Sequence, residues 1–426
     1  MLNMNLTAPG RGAHRIFVWL FLTLCQFMTP NLQAQDKLDP CEPQFAQKLN
    51  EALIHHLRCP ETAARDIPLT GHFTIPSSLH ARVRFWHHVF TRQSVKDYAI
   101  HLSDHPHLVL EIVSFPWLGA EGNLDSRARR MLKIRHQYYK QLFKRMDQGK
   151  ILANENLEAD RLRTLLKQIP RKVRFASLDL RNQKGQREFM HRGIEMASPY
   201  LKHVEQEFEN LSTPPELALL AFVESTFNLN AISKVKASGV YQIMPFIARQ
   251  YMRLTAAIDE RLDPIKSAAV AARLLKDNYE LLGSWPLAIT AYNHGPYGIK
   301  RAVKKAGSTD IAVLIDSYEG RGFGFASQNF YAEFLAIVYA MKNADEHFPE
   351  AKLASSLDFR NEKLEKPMRI RDVSRQFGVS LDILQRLNPD LSRGFVKQNG
   401  LLPRHFTIKI PNEPANFTEA SLGRTL

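Results

Sequence analysis

The chain has 426 residues, 44 % hydrophobic and 23 % charged, a balance that excludes a disordered or low-complexity protein. That length accommodates two or three domains with ample cores. Fifty-seven Lys and Arg against 43 Asp and Glu give a formal charge of +14, which suits an anionic polymer or a membrane surface as partner.

Arg11 and Arg15 precede the apolar run Ile16–Phe27, and Leu32-Gln33-Ala34 offers a small residue at a cleavage point. This is the layout of a secretory signal peptide over residues 1–34. Its removal lowers the charge by two, to +12. The run falls short of the roughly 20 apolar residues that span a bilayer, and no later run is long enough. The mature chain is therefore expected to carry no transmembrane helix, to lie in the periplasm or cell envelope, and not to meet nucleic acid. Cys25 follows Leu24, where a lipid-modified cysteine wants a small residue, so a lipid anchor is disfavoured. Export permits a Cys41–Cys59 disulfide. The intervening Pro43–Arg58 reads as a helix of roughly 22 Å, far longer than the about 7 Å that bridged Cα atoms allow, so the pairing stays open.

Residues 35–180 read as a mostly helical accessory region. A Pro/Thr/Ser-rich stretch occupies Ile67–Ser78. Tyr98–Leu102 and Leu108–Val113 flank a five-residue polar loop and predict a β-hairpin, and a long helix follows over about Asp125–Met146. Its basic cluster Arg127–Arg135 reads as a solvated face. The histidines from His80 to His107 show no metal-ligand spacing and read as surface residues; no metal and no cofactor is expected.

Residues 181–345 are helix-rich. In Thr213-Pro214-Pro215-Glu216, Thr213 can cap a helix and Glu216 can close a capping box. Leu217, Leu220 and Ala221 mark its inward stripe, and Glu224 falls on the same face. A carboxyl there loses hydration, which favours its neutral form and makes it a candidate general acid. Asp263 and Pro264 open another helix that Gly283 stops. Helices are also predicted over Pro286–Asn293, Gly298–Lys305 and Phe330–Lys342. After a linker at 346–366, residues 367–411 read as strand, helix, helix, strand, with Ile370–Phe377 and Leu381–Leu387 helical; 412–426 form a tail.

Four elements follow one another: Glu224-Ser225, then Ala237-Ser238-Gly239-Val240-Tyr241-Gln242-Ile243-Met244-Pro245, then Ala291-Tyr292-Asn293-His294-Gly295, then Ser327-Gln328-Asn329-Phe330-Tyr331. Their order and spacing over roughly Arg181–Lys342 resemble the lytic transglycosylases of the goose-type lysozyme superfamily. The resemblance implies a mainly α fold with a lysozyme-like helical catalytic domain. It implies cleavage of the β-1,4 bond between N-acetylmuramic acid and N-acetylglucosamine in peptidoglycan glycan strands, leaving a 1,6-anhydro ring. Glu224 would act as acid and then base, with the substrate's own C6 hydroxyl as nucleophile, so no second carboxylate is required.

By the same resemblance, Ser225, Gly239, Gln242, Met244, Tyr292, Asn293 and Tyr331 contact or support the sugar. Gly239 would admit close approach of backbone to sugar, Gln242 would donate and accept hydrogen bonds, and Met244 would wall the groove. Asn293 would fix a ring, Tyr292 would pack beneath, and Ser225 and Tyr331 would hold the Glu224 carboxyl. The chain departs from the family at Val240-Tyr241, where Tyr241 is expected to keep an aromatic surface for sugar. It departs again at His294, expected on the rim, and at Ser327-Gln328-Asn329, where relatives often carry Glu-Thr.

Residues Met368–Pro411 resemble a LysM domain through Val379-Ser380, Leu384, Asn388-Pro389 and Ile408-Lys409-Ile410-Pro411, without the usual Gly-Asp-Thr opening. That implies a small βααβ unit which binds glycan or serves only for packing. The alternatives to a lytic transglycosylase are a hydrolytic lysozyme or chitinase, and an inactive glycan-binding envelope protein.

Overall fold

The computed structural model describes residues 67–69, 71–151, 156–169 and 173–413. The expected leader peptide, the Pro43–Arg58 helix and the Cys41–Cys59 pairing lie outside the described residues. A short ladder, β1 (Ile67–Pro68) with β2 (Thr74–Ile75), leads into helix α1 (His80–Thr91). The expected hairpin is present as β3 (Asp97–Leu102) and β4 (Val109–Ser114), antiparallel with a bulge between Ile100 and His101. After α2 (Ser126–Asp147) and α3 (Leu157–Leu166), a strand that sequence patterning did not reveal, β5 (Leu180–Lys184), adds to the other edge of β3 and gives the order β4-β3-β5. Asp125 caps α2 through the amide of Ala128 at 2.7 Å, and Asn156 caps α3 through that of Ala159 at 2.9 Å.

Helices α4 (Arg187–Ala197), α5 (Leu201–Glu209), α6 (Leu220–Ser225), α7 (Pro245–Tyr251), α8 (Pro264–Leu282), α9 (Trp285–His294), α10 (Pro296–Ala306), α11 (Ile311–Ser317), α12 (Phe325–Lys342) and α13 (Ala344–His347) follow. The chain closes with β6 (Phe359–Lys363), β7 (Met368–Arg369), α14 (Ile370–Phe377), α15 (Leu381–Leu387), α16 (Arg393–Lys397), β8 (Leu401–Leu402) and β9 (Thr407–Pro411). β6 pairs with β9, and β7 pairs with β8. The two predicted C-terminal helices fall on the observed bounds; β6, β8 and α16 are additions. The described residues are mainly helical with small sheets, as expected.

Among the described residues, apolar side chains gather in three cores. The largest draws on both sides of residue 180: Phe85, Trp86 and Val89 of α1 join Phe222, Leu275, Phe334 and Ile337. α1 lies on α12, and the buried Asn329 fastens them. Its Oδ1 accepts from Arg82 Nη1 at 2.8 Å and from Trp86 Nε1 at 3.0 Å. β3 is buried on both faces. Ala99 points into this core, while Tyr98, Ile100 and Leu102 point into a second one with Phe115, Leu132, Phe143 and Leu162. The third core, Ile370, Val373, Leu384, Leu402, Phe406 and Ile410, lies in the C-terminal unit and takes in Ile258 from far upstream.

Several histidines expected at the surface belong to the interior. His88 and His101 are buried, and His101 Nδ1 lies 2.8 Å from the carbonyl oxygen of Leu102. Burial pushes His101 down to about 4 and holds it neutral. Among the described residues no three His, Cys, Asp or Glu side chains are arranged to hold a metal. No described helix is long and apolar enough to cross a membrane.

Candidate active site

The segment carrying Glu224 starts differently from the sequence expectation. Thr213 does not cap it; its hydroxyl donates to Phe208 O at 2.8 Å and closes α5 instead. Glu216 closes no capping box and lies 3.4 Å from His72. The two prolines start a 3-10 turn over Pro215–Leu219, and α6 runs only from Leu220 to Ser225. Thr226 (φ +50°) and Phe227 (φ +55°) then adopt the left-handed region. That conformation is costly for a β-branched and an aromatic residue, and strain of this kind collects at functional sites.

Glu224, two residues before that break, is half-buried and has no hydrogen-bond or ion-pair partner among the described residues. Burial pushes its carboxyl from the ordinary 4.5 up to about 8. No cation offsets the lost hydration, so the neutral acid prevails at neutral pH.

Two further groups sense its charge. The Tyr292 phenol is raised by burial and then by Glu224, and its hydroxyl donates to Tyr241 O at 2.9 Å. That bond fastens Tyr292 to the loop, and the charge of Glu224 reaches its phenol. Glu333 on α12 is the residue that sequence reasoning missed. It too is half-buried and without a partner among the described residues, and it is raised to about 8 by burial and then by Glu224. The signal was available: Glu333 is the single charge in the apolar stretch Phe330–Met341, the same anomaly that singles out Glu224.

The loop 238–243 lies against α6. Ser225 does not hold the carboxyl as expected; its hydroxyl proton is shared between Ala221 O at 3.1 Å and Val240 O at 3.0 Å, which ties the loop to the helix. Tyr331 is buried and makes no hydrogen bond among the described residues. Tyr241 offers no surface to a sugar: it is 0 % exposed, and its hydroxyl donates to Ala218 O at 2.9 Å. Gly239 has φ +77°, and a Cβ there would sit 1.8 Å from Arg261 O. The close approach that demands glycine is thus to the 3-10 turn Glu260–Leu262.

Gln242, itself left-handed at φ +47°, is the half-buried polar side chain of the loop. Its Nε2 donates to Ala231 O at 3.2 Å and to Gly239 O at 3.0 Å, while its side-chain oxygen has no partner among the described residues. Met244 is half-buried at the start of α7. Asn293 is exposed at the end of α9, where its Oδ1 accepts from the buried Ser327 hydroxyl at 2.9 Å. Ser327 also lies 3.3 Å from His294 Nδ1, and His294 is half-buried against α12 and Phe323. Chemically the site offers a carboxylic acid that keeps its proton at neutral pH, and the neighbouring loop 238–243 and the end of α9 carry primary amides, Gln242 and Asn293, with unused hydrogen-bonding capacity.

The segment that carries Glu224, Gln242 and Asn293 matches a known domain family. Residues 200–315 match the family model of the transglycosylase SLT domain. Over 245 residues the chain is 25 % identical to the membrane-bound lytic murein transglycosylase D of Escherichia coli (strain K12), covering 55 % of this chain and 51 % of that protein. It thus spans about half the length of that curated relative. Among solved structures it is similar to the 70 kDa soluble lytic transglycosylase of Escherichia coli, at 21 % identity and a TM-score of 0.30 over 35 % of this chain and 25 % of that one. It is also similar to an inactive mutant of the lytic transglycosylase Slt from Pseudomonas aeruginosa, at 15 % identity and a TM-score of 0.29 over 53 % and 31 %.

Proposed function

We propose that the protein is an envelope lytic transglycosylase of peptidoglycan. The observation that carries this reading is the unpaired acid Glu224, held near 8 inside a segment that matches the SLT domain. At neutral pH Glu224 donates its proton to the glycosidic oxygen as the β-1,4 bond between N-acetylmuramic acid and N-acetylglucosamine breaks. The resulting carboxylate then takes the proton of the muramic C6 hydroxyl. That oxygen closes on C1, and a 1,6-anhydro end forms without water. The free oxygen of Gln242 and the amide nitrogen of Asn293 bind sugar hydroxyl or acetamido groups. Met244 gives an apolar wall, Tyr292 supports the acid, and Gly239 and Ser225 fix the loop.

In this reading Glu333 is not the second carboxylate of a hydrolytic pair. A hydrolase needs an ionised partner to activate water, and a carboxyl raised to about 8 is mostly protonated at pH 7. In this reading residues 181–345 form the catalytic domain, and 367–411 form a LysM-like unit fixed to it.

Mass spectrometry of digested murein tests the proposal. Anhydro-muramic ends are expected from the parent chain and no cleavage from Glu224→Gln. Reducing muramic ends would make it a hydrolase, and cleavage by the variant at the parent rate would overturn the role of Glu224.

A further inference from the structure

The C-terminal unit is clasped to the segment 257–266, which in turn supports the loop carrying Gln242. Asp259 N donates to Asp390 O at 2.9 Å, Ser392 N donates to Ala257 O at 3.0 Å, and Ile258 bridges Leu391 in β fashion. Ile258 enters the C-terminal core. Beside this ladder, Lys266 Nζ reaches Asp390 Oδ2 at 2.7 Å, Glu260 Oε1 at 3.1 Å and Thr407 O at 3.4 Å. From β9, Lys409 donates to Asp263, the cap of α8; the two are 2 % and 0 % exposed. Asn388 holds the backbone of Lys409 on both sides, accepting from its N at 2.8 Å and donating to its O at 2.9 Å.

The clasped segment reaches the site through Arg261. Asp259 grips its guanidinium in a fork, Oδ1 with Nε at 2.9 Å and Oδ2 with Nη2 at 2.8 Å. Arg261 Nη1 then donates to Lys236 O at 2.7 Å and Ile243 O at 3.1 Å, the two ends of the loop 237–242. The backbone oxygen of Arg261 lies under Gly239, leaving no room for a Cβ. The far side of the loop is tied to Ser225 and Tyr292 beside Glu224.

We propose that Lys409, Lys266 and Asp390 are positioning residues. Through Asp259 and Arg261 they hold the loop 238–243, so the C-terminal unit sets the place of Gln242 in the groove rather than acting as a loosely tethered sugar-binding module. Buried ionic groups of this kind are costly unless fully paired, and their best-attested use is to specify one arrangement. The proposal rests on the assignment of Gln242 to the sugar site.

The test is native-state hydrogen exchange on the full chain, with Lys409→Met and, as a milder break that keeps the buried Lys409–Asp263 pair, Lys266→Met. The amides of Ser238, Gly239, Gln242 and Ile243, all hydrogen-bonded in the parent, are expected to exchange at least about tenfold faster in both variants, with α12 unchanged. On soluble uncrosslinked glycan strands, KM is expected to rise about three- to tenfold while kcat stays within about twofold. Faster exchange confined to residues 359–411, with the loop and KM unchanged, would overturn the proposal. If the parent cleaves no murein, the exchange data still decide the clasp. If it cleaves normally while the loop is indifferent to both variants, the clasp falls and the proposed activity stands.

Discussion

Replacing Glu224 with Gln should make the folded protein more stable at neutral pH, by an amount that grows with pH. In the native state the carboxyl is raised from 4.5 to about 8 by burial. Between those values the unfolded chain is ionised while the folded chain must keep a proton. The folded state then binds more protons, so the parent's stability is greatest below 4.5 and is lost as pH rises to about 8. Each pH unit in that window removes about 1.4 kcal/mol. At pH 7 the parent has lost about 3 kcal/mol relative to pH 4.5, an upper figure because water reaches part of the side chain. A glutamine fills the same space and does not titrate. The expected result is similar urea midpoints for parent and variant at pH 4.5 and a variant more stable by about 2–3 kcal/mol at pH 7. A gap that fails to widen between pH 4.5 and 7.5, or a variant less stable at pH 7, would refute a desolvated and unpaired acid. Stability gained where activity vanishes is the expected signature of a group placed for chemistry rather than for folding.

Tyr241→Phe should cost about 1 kcal/mol, the worth of the lost bond to Ala218 O, and leave KM for glycan unchanged. A raised KM in steady-state kinetics would return Tyr241 to the sugar surface. Asn329→Ala strips the acceptor from both Arg82 and Trp86 and should cost about 2–3 kcal/mol in urea unfolding; a loss under 1 kcal/mol would mean that the α1–α12 contact does not depend on it.

Local chemistry was readable where it was self-contained. Asp263 caps α8 through Ile265 N at 3.0 Å and Lys266 N at 3.2 Å, and Gly283 ends it at φ +70°, as Asp-Pro and Gly promise. The hairpin and the two C-terminal helices were legible for the same reason. The start of α6 was not: Thr213, Pro214 and Pro215 permit a cap, but Thr213 is closer to the open carbonyl of Phe208 and satisfies that first. Glu224 stood out because an apolar stripe cannot hide a charge. Glu333 obeys the same rule, yet only the packing of α12 on α6 brings it within reach of Glu224. Tyr241 and Ser225 were placed by family likeness alone, and long-range backbone acceptors, invisible in a linear string, decide where their hydroxyls go.

The seating of α1 on α12 has a practical corollary. A fragment trimmed to begin near Arg181 would retain every residue proposed to act on the sugar, yet it would lay open the flank of α12 that Phe85, Trp86 and Val89 now cover. It would also leave Asn329 without the two donors it serves. Such a preparation would clump or sag around Ser327 and Tyr331, and its poor performance would say nothing about the chemistry. The upstream helix is a wall of the workshop, and shortened versions of this chain should keep it.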